Sequence, residues 1–253
     1  MTIGLASLLL FLALLPEPTA KIVFANRIYR VAGPSQIDWF EIAPSAREAT
    51  KLGNEQDRCP ERQPKAVPEE AQSRAESTVA DTGKLLTWSP DQTMFAYVAH
   101  DAAIPPPTPN LWGCTDCFYP VLKIVQARDG KALSTIKLPV FGEHWNYAQT
   151  MTWSPNGEML LLGAEAGPSD SKYSDYWLVD LAKQTWKYIG GGNNAKWSPD
   201  SSQILWTAAR ELQPLGKIHV WVVHLALFDL RAEKQEMLTS GTSIVSQFYW
   251  CSQ

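Results

Sequence analysis

The sequence lacks an excess of positive charge. Its 253 residues include 22 Lys and Arg against 26 Asp and Glu, a net charge of −4, so the composition does not favour binding to nucleic acid. It also lacks the Gly-x-Ser-x-Gly elbow of serine hydrolases, since the segments starting at Gly33 and Gly241 both depart from that pattern. No two of its histidines have the spacing of metal ligands. We therefore predict no enzyme activity, no bound metal and no cofactor.

Long hydrophobic runs are scarce as well. The apolar run at residues 3–15 is too short to span a bilayer comfortably, and the small residue Ala20 follows it. This pattern predicts a signal peptide over residues 1–20, with a mature chain in the periplasm or outside the cell and no stable membrane insertion. A membrane anchor and a buried strand are the alternatives.

Cysteine is rare, with four in the chain. Cys114 and Cys117 form a Cys-x-x-Cys pair that no His follows, and no second such pair is present to complete a zinc site. In an exported chain this pair predicts a local disulfide. The oxidation state of Cys59 and Cys251 is left open by these arguments.

What the sequence has in quantity is tryptophan, with eleven residues. Three of them begin copies of one motif, and an apolar run follows each copy: Trp88-Ser89-Pro90-Asp91, Trp153-Ser154-Pro155-Asn156 and Trp197-Ser198-Pro199-Asp200. Each copy predicts a β-hairpin, because Ser, Pro and Asp or Asn suit successive positions of a type I turn. Trp153 and Trp197 are 44 residues apart, the length of one four-stranded propeller blade.

These motifs resemble the TolB-type β-propeller repeat, whose blades begin with a Trp-Ser-Pro-Asp-Gly hairpin. The resemblance implies an all-β propeller over residues 21–253 and partners among envelope proteins. Gly157 keeps the glycine of that repeat, whereas Gln92 and Ser201 replace it. Those two turns therefore cannot adopt a positive φ at this position without a cost in strain.

The repeat predicts four blades of four antiparallel strands, and the first blade is split between the chain termini. Residues 21–52 read as the second to fourth strands of a blade, and residues 244–251 supply its first strand, with Trp250 at the motif position. We predict that the two terminal segments pair and close the ring, because unsealed sheet edges promote aggregation. Closure would allow a disulfide between Cys59 and Cys251. Trp88, Trp153, Trp197 and Trp250 are then structural residues.

Residues 53–83 are polar and nearly devoid of large apolar side chains. They predict a long loop or a disordered segment. A helix near residues 68–80 is the alternative, since acidic residues follow Pro68.

In the propeller that the repeat resembles, the longest loops of this chain gather on the face opposite the Trp-Ser-Pro turns. Loops over a rigid scaffold are where binding residues concentrate. Aromatic and acidic side chains there suit a peptide, a sugar or a cationic partner. The predicted partner-binding residues are Asp101, Trp112, Phe118, Tyr119, Phe141, Glu143, His144, Trp145, Tyr147, Glu165, Asp170 and Tyr173. Solvated acids and aromatics that merely pack the loops are the alternative, and His219 and His224 are predicted in the core.

Together these patterns predict a monomeric, exported, non-catalytic propeller that binds an envelope or extracellular protein or peptide. Two alternatives stay open. One is a carbohydrate-binding or carbohydrate-active propeller, for which a hydrolase would need two carboxylates flanking a sugar bond. The other is a part of a longer TolB-like or peptidase-associated propeller.

Overall fold

The computed structural model describes residues 20–28, 34–46, 48–53, 58–60, 65–80, 83–100, 120–138, 148–165, 174–215 and 218–251. The described part of the chain is all-β apart from one short helix. This helix lies between the third and fourth strands. No helix in these ranges is long and apolar enough to cross a membrane. The predicted signal peptide, apart from Ala20, and the predicted Cys114–Cys117 disulfide lie outside the described residues.

The elements follow one another as antiparallel strands of mostly six or seven residues. In chain order they are β1 (Ile22–Ile28), β2 (Gln36–Ile42), β3 (Thr50–Lys51), α1 (Glu69–Val79), β4 (Gly83–Trp88), β5 (Met94–His100), β6 (Pro120–Gln126), β7 (Ala132–Lys137), β8 (Ala148–Trp153), β9 (Met159–Glu165), β10 (Ser174–Asp180), β11 (Thr185–Trp197), β12 (Gln203–Leu215), β13 (Ile218–Asp229), β14 (Lys234–Met237) and β15 (Val245–Trp250).

The first blade combines both ends of the described chain. Its strand order is β15-β1-β2-β3. Strand β15 pairs antiparallel with β1, so that Ile22 lies opposite Trp250 and Phe24 opposite Phe248. The predicted pairing of the two terminal segments is therefore confirmed.

The remaining strands form a four-stranded sheet, which we call the second blade, and a seven-stranded sheet in the order β14-β13-β12-β11-β10-β9-β8. We call its two halves, β8–β11 and β11–β14, the third and fourth blades. The second blade is β4-β5-β6-β7. Strand β11 is shared by the third and fourth blades, because its first part pairs with β10 and its last part with β12. The glycines at 190–192 lie inside this strand. A side chain at Gly192 would collide with the Thr207 carbonyl, so close packing of the backbone explains the glycine there.

Neighbouring blades pack through apolar faces. One buried cluster joins the second and third blades around Leu122 and Trp153. Another joins the third and fourth blades around Tyr176 and Trp206. A third joins the fourth and first blades around Leu225 and Trp250. The blades are therefore arranged in the order second, third, fourth, first.

Helix α1 covers the outward face of the second blade. Its buried residues Ala75 and Val79 pack with Phe95 and Tyr97 of β5. Pro68 precedes the helix and acidic residues occupy its first turn, where they suit the positive end of the helix dipole. In this part of residues 53–83 the structure has the alternative helix near residues 68–80, not the predicted loop or disordered segment. Two apolar residues one helical turn apart are enough, because the second blade offers them a ready apolar face.

The outward face of the first blade is covered by the segment around Cys59. Cys59 forms a disulfide with Cys251, which follows β15 directly. Both cysteines pack with Val23 and Tyr249, and the Arg58 guanidinium lies 4.0 Å above the Trp39 ring. We call residues 58–60 and 65–68 the strap, because they lead from this disulfide to helix α1.

The four blades do not form a closed ring of sheets in the described part of the chain. None of its buried clusters joins the first blade to the second. The outward faces of these two blades are instead covered, that of the first blade by the strap and that of the second blade by α1. The four-bladed closed ring predicted from the repeat is therefore not confirmed, although its terminal strand pair is present.

Candidate functional site

The four repeat tryptophans occupy equivalent positions at the ends of the first strands of the four blades. Three of them donate an indole hydrogen bond to the preceding blade, each to the carbonyl of the residue before that blade's own tryptophan. The bonds run from Trp153 Nε1 to Thr87 O at 3.2 Å, from Trp197 Nε1 to Thr152 O at 3.4 Å, and from Trp250 Nε1 to Lys196 O at 3.3 Å. The tryptophans thus fasten successive blades to one another.

Trp88 departs from this pattern. Its indole donates to Gln72 Oε1 of helix α1 at 2.7 Å. By the repeat rule the acceptor would be the backbone carbonyl of Tyr249 in the first blade. Helix α1 therefore takes the position that a neighbouring blade would have on this side of Trp88.

Each Ser-Pro turn is held by a buried serine. The hydroxyls of Ser89, Ser154 and Ser198 donate to the side chain two residues later at 2.6–2.7 Å and accept the backbone N–H five residues later at 2.9–3.0 Å. Cys251 stands at the serine position in the fourth copy, and its N–H donates to Lys21 O at 2.9 Å. The disulfide thus lies where the other blades have their turns.

These hydrogen bonds keep the turn carboxylates ionised. The Ser89 hydroxyl and the Thr93 N–H lower the pKa of Asp91 below its usual value. For Asp200, burial acts to raise the pKa, but hydrogen bonds from Ser198 and Ser202 outweigh it and the pKa is lowered. Because both carboxylates are already hydrogen-bonded within their turns, they hold the turn shape.

The fourth residue of each turn has a positive φ in all three copies. The angle is 76° at Gly157, 60° at Gln92 and 63° at Ser201. Gln92 and Ser201 thus adopt the conformation that the sequence indicates to be costly for a residue other than glycine. Both side chains form tertiary hydrogen bonds that offset the strain: Gln92 Nε2 donates to Ala66 O at 2.9 Å, and Ser201 Oγ accepts from Asn156 N at 2.9 Å.

A cavity of about 560 Å³ lies at this end of the molecule, and we call it the tryptophan cavity. All four repeat tryptophans line it, together with residues of the turns and of the strap. The lining residues in the described part of the chain are Lys65, Val67, Thr87, Trp88, Ser89, Pro90, Gln92, Thr152, Trp153, Pro155, Lys196, Trp197, Pro199 and Trp250. Its volume lies within the range typical of ligand sites.

The charged side chains in this lining are Lys65 and Lys196, and both are cationic. Lys65 belongs to the strap and is held beside the turn of the second blade, because Gln92 donates to the carbonyls of Lys65 and Ala66. Lys196 precedes Trp197 in β11, and its Nζ lies 5.8 Å from the centre of the Phe248 ring. The cavity therefore combines aromatic walls with two cationic side chains.

No family model matches the sequence, and no curated protein matches it. Solved structures similar to this chain include the β-propeller domain of the Trilobed protease from Pyrococcus furiosus, at 15% identity and a TM-score of 0.36, covering 68% of this chain and 43% of that one. TolB from Acinetobacter baumannii is 14% identical with a TM-score of 0.35, covering 89% and 43%. The tricorn protease is 14% identical with a TM-score of 0.44, covering 91% and 18%. The chain spans less than half the length of each. With TM-scores below 0.5, these likenesses carry no conclusion about this chain, and the sheets described here follow from its own strand pairing.

The loop residues predicted to bind a partner lie largely outside the described part of the chain. Among them, Glu165 ends β9. The remaining eleven are outside it: Asp101, Trp112, Phe118, Tyr119, Phe141, Glu143, His144, Trp145, Tyr147, Asp170 and Tyr173. The predicted site on that face therefore stays a prediction.

Sequence reasoning missed the tryptophan cavity, which is on the opposite face. It treated the repeat tryptophans as packing residues only, whereas the structure gives them a second role as cavity walls. The available signal was the position before each tryptophan, which is Thr87 and Thr152 in two copies but Lys196 in the third.

His224 lies in the core as predicted. It is buried in β13, and burial, aided by the charge of Arg210, lowers its pKa. No group of three or more His, Cys, Asp or Glu side chains suitable for a metal occurs in the described ranges.

An exposed group of aromatic side chains lies on the third blade, outside the cavity. We call Trp177, Trp186 and Tyr188 the aromatic patch. The Trp177 ring lies 5.3 Å from both other rings, and Trp186 and Tyr188 are 42% and 49% exposed. The Tyr188 hydroxyl donates to Asp175 Oδ1 at 3.3 Å.

Proposed function

We propose that this chain is an exported, non-catalytic binding protein whose partner is a protein or a peptide. The tryptophan cavity is the observation that carries this proposal, since part of the partner would enter it. The predicted loops on the opposite face offer a second contact surface. The Cys59–Cys251 disulfide supports an oxidising compartment outside the cytoplasm.

Three properties of the cavity support binding. Tryptophan is among the residues that contribute most to protein interfaces. The indole rings here are held by hydrogen bonds to neighbouring strands, so little side-chain entropy would be lost on binding. The walls belong to blade strands and turns, which position a site better than long loops do.

Filling the cavity is expected to abolish peptide binding. Thr152 lines the cavity and is exposed, so Thr152→Trp would occupy the space while leaving all four repeat tryptophans in place. Peptides selected by the wild-type protein from a displayed library of random dodecapeptides should bind this variant at least about tenfold more weakly. Isothermal titration calorimetry with the selected peptides measures the difference.

Thr135→Trp is the matched control, because Thr135 is exposed on the outer strand β7. It introduces the same bulk away from the cavity and should leave affinity unchanged. Equal affinity of both variants for the selected peptides would exclude the cavity as the binding site.

The aromatic patch favours a second candidate function, which is carbohydrate binding. Exposed aromatic rings beside a carboxylate suit the apolar face and hydroxyl groups of a sugar. On a glycan array, Trp186→Ala should then remove most of the signal, whereas Trp221→Ala, another exposed tryptophan, should keep it. An array that retains no glycan with the wild-type protein would exclude this candidate.

A further inference from the structure

We infer that the tryptophan cavity selects a carboxylate joined to an apolar group, as found at the C-terminus of a peptide that ends in an aromatic or aliphatic residue. This inference rests on the proposed function, because it names the part of a peptide that would enter the cavity. It depends on three features: the chemistry of the walls, the sign of the charges, and the place of those charges in the repeat.

The walls select the apolar group. Four indole rings and the prolines Pro90, Pro155 and Pro199 line the cavity. Each indole N–H already donates within the protein, to a backbone carbonyl or to Gln72. A ligand therefore meets ring carbons at these walls, and burying an apolar side chain against them is favourable.

The charges select an anion. Lys65 and Lys196 line the cavity, and no Asp or Glu within the described ranges does. The carboxylates of Asp91 and Asp200 in the adjacent turns accept hydrogen bonds from their own turn residues. In a partly enclosed space with aromatic walls, the attraction between an ammonium group and a carboxylate is stronger than in open water. The local positive charge contrasts with the net charge of −4 of the whole chain.

The repeat itself indicates that Lys196 is a specific feature of one blade. The residue before the repeat tryptophan lines the cavity in three blades, as Thr87, Thr152 and Lys196. The backbone carbonyl of each of these residues accepts the indole N–H of the next blade. This structural role requires no particular side chain. The Lys196 ammonium lies 5.8 Å from the centre of the Phe248 ring, and its positive charge lets it attract an anionic ligand as well.

The second lysine comes from a different element. Lys65 belongs to the strap, which Gln92 holds against the second blade through the Lys65 and Ala66 carbonyls. Gln92 keeps this contact despite a φ of 60°. Cations from two different elements, the strap and β11, thus line the same cavity.

The test uses two peptides that differ only at the C-terminus: acetyl-Gly-Ala-Phe-Leu with a free carboxylate, and the same peptide with a terminal amide. Calorimetry on the full chain should give at least about tenfold tighter binding of the carboxylate form at low ionic strength. In the double variant Lys65→Gln/Lys196→Gln this preference should fall below about threefold.

Matched controls separate a local effect from the overall charge. Lys187→Gln/Lys234→Gln also removes two positive charges, from lysines that pair with Glu233 and Glu236 on outer strands, and should keep the preference. The single variant Lys196→Arg retains the charge and leaves Lys65 intact. It should therefore keep most of the preference for the carboxylate peptide that the double variant loses. Circular dichroism melts confirm that each variant is folded.

Three results would overturn the inference: equal binding of the two peptides, binding of neither, or equal losses in both double variants. The proposed function is tested separately by Thr152→Trp with library-selected peptides. If that variant blocks selected peptides that show no preference for a terminal carboxylate, the inference fails and the proposed function stands. If it blocks none, the proposed site fails as well.

Discussion

Replacing Trp153 with alanine is expected to lower the free energy of unfolding by about 3–5 kcal/mol. Trp153 is 7% exposed and belongs to the buried cluster that joins the second and third blades. The substitution leaves a cavity between the blades and removes the indole hydrogen bond to the Thr87 carbonyl. Urea unfolding followed by circular dichroism measures the change, provided that the slope of the transition stays constant.

Trp186→Ala is the control for this substitution. Trp186 is 42% exposed on the third blade, although its indole also donates to a backbone carbonyl, that of Lys137. Because much of the ring stays in water, we expect a loss of less than about 2 kcal/mol. Equal losses for the two tryptophans would mean that the repeat positions are not the structural centre of the blades. Trp112 and Trp145, predicted as loop tryptophans, lie outside the described residues.

The hairpins of the blades could be predicted because the same short turn motif occurs several times in the sequence. A buried serine, a proline and a carboxylate or amide form the same turn at Ser89, Ser154 and Ser198, and each turn joins two antiparallel strands. The pairing of β1 with β15 was predictable for the same reason. A fourth tryptophan strand was present at one end of the chain, and a blade without such a strand was present at the other.

The strap and helix α1, which cover the outward faces of the first and second blades, could not be predicted in the same way. Helix α1 buries only Ala75 and Val79, so its amphipathic pattern is too weak to separate it from a polar loop. Its position depends on the apolar face of β5, which is distant in the sequence. The cavity could not be predicted for the same reason, because it depends on residues that are distant in the sequence. Its walls are assembled from four blades, and the hydrogen bonds that orient them join residues 45 to 66 positions apart.

The positive φ angles at Gln92 and Ser201 also depend on tertiary contacts. Local preference alone favours glycine at this position of the turn. Each of these side chains instead forms a hydrogen bond to a different element, the strap or the third blade. A tertiary contact thus outweighs a local cost, and that contact cannot be read from the turn sequence.

Deleting residues 244–253 is expected to abolish cooperative folding. Strand β15 contributes Val245, Phe248 and Trp250 to the cluster between the fourth and first blades. The deletion removes this packing, the pairing with β1 and the Cys59–Cys251 disulfide together. Such a loss is of the order of the total stability of a domain, about 5–15 kcal/mol. The exposed edge of β1 would then promote aggregation, which size-exclusion chromatography with light scattering detects.

The double variant Cys59→Ser/Cys251→Ser separates the strand from the covalent link. The disulfide joins residues 192 positions apart, so its loss should lower the free energy of unfolding by about 2–5 kcal/mol. Because β15 keeps its hydrogen bonds and its apolar contacts in this variant, the protein should stay monomeric and unfold cooperatively. If the deletion variant were also monomeric with an unchanged melting midpoint, β15 would not be part of the first blade. If the serine variant aggregated as the deletion variant does, the disulfide rather than the strand would hold the two ends of the chain together.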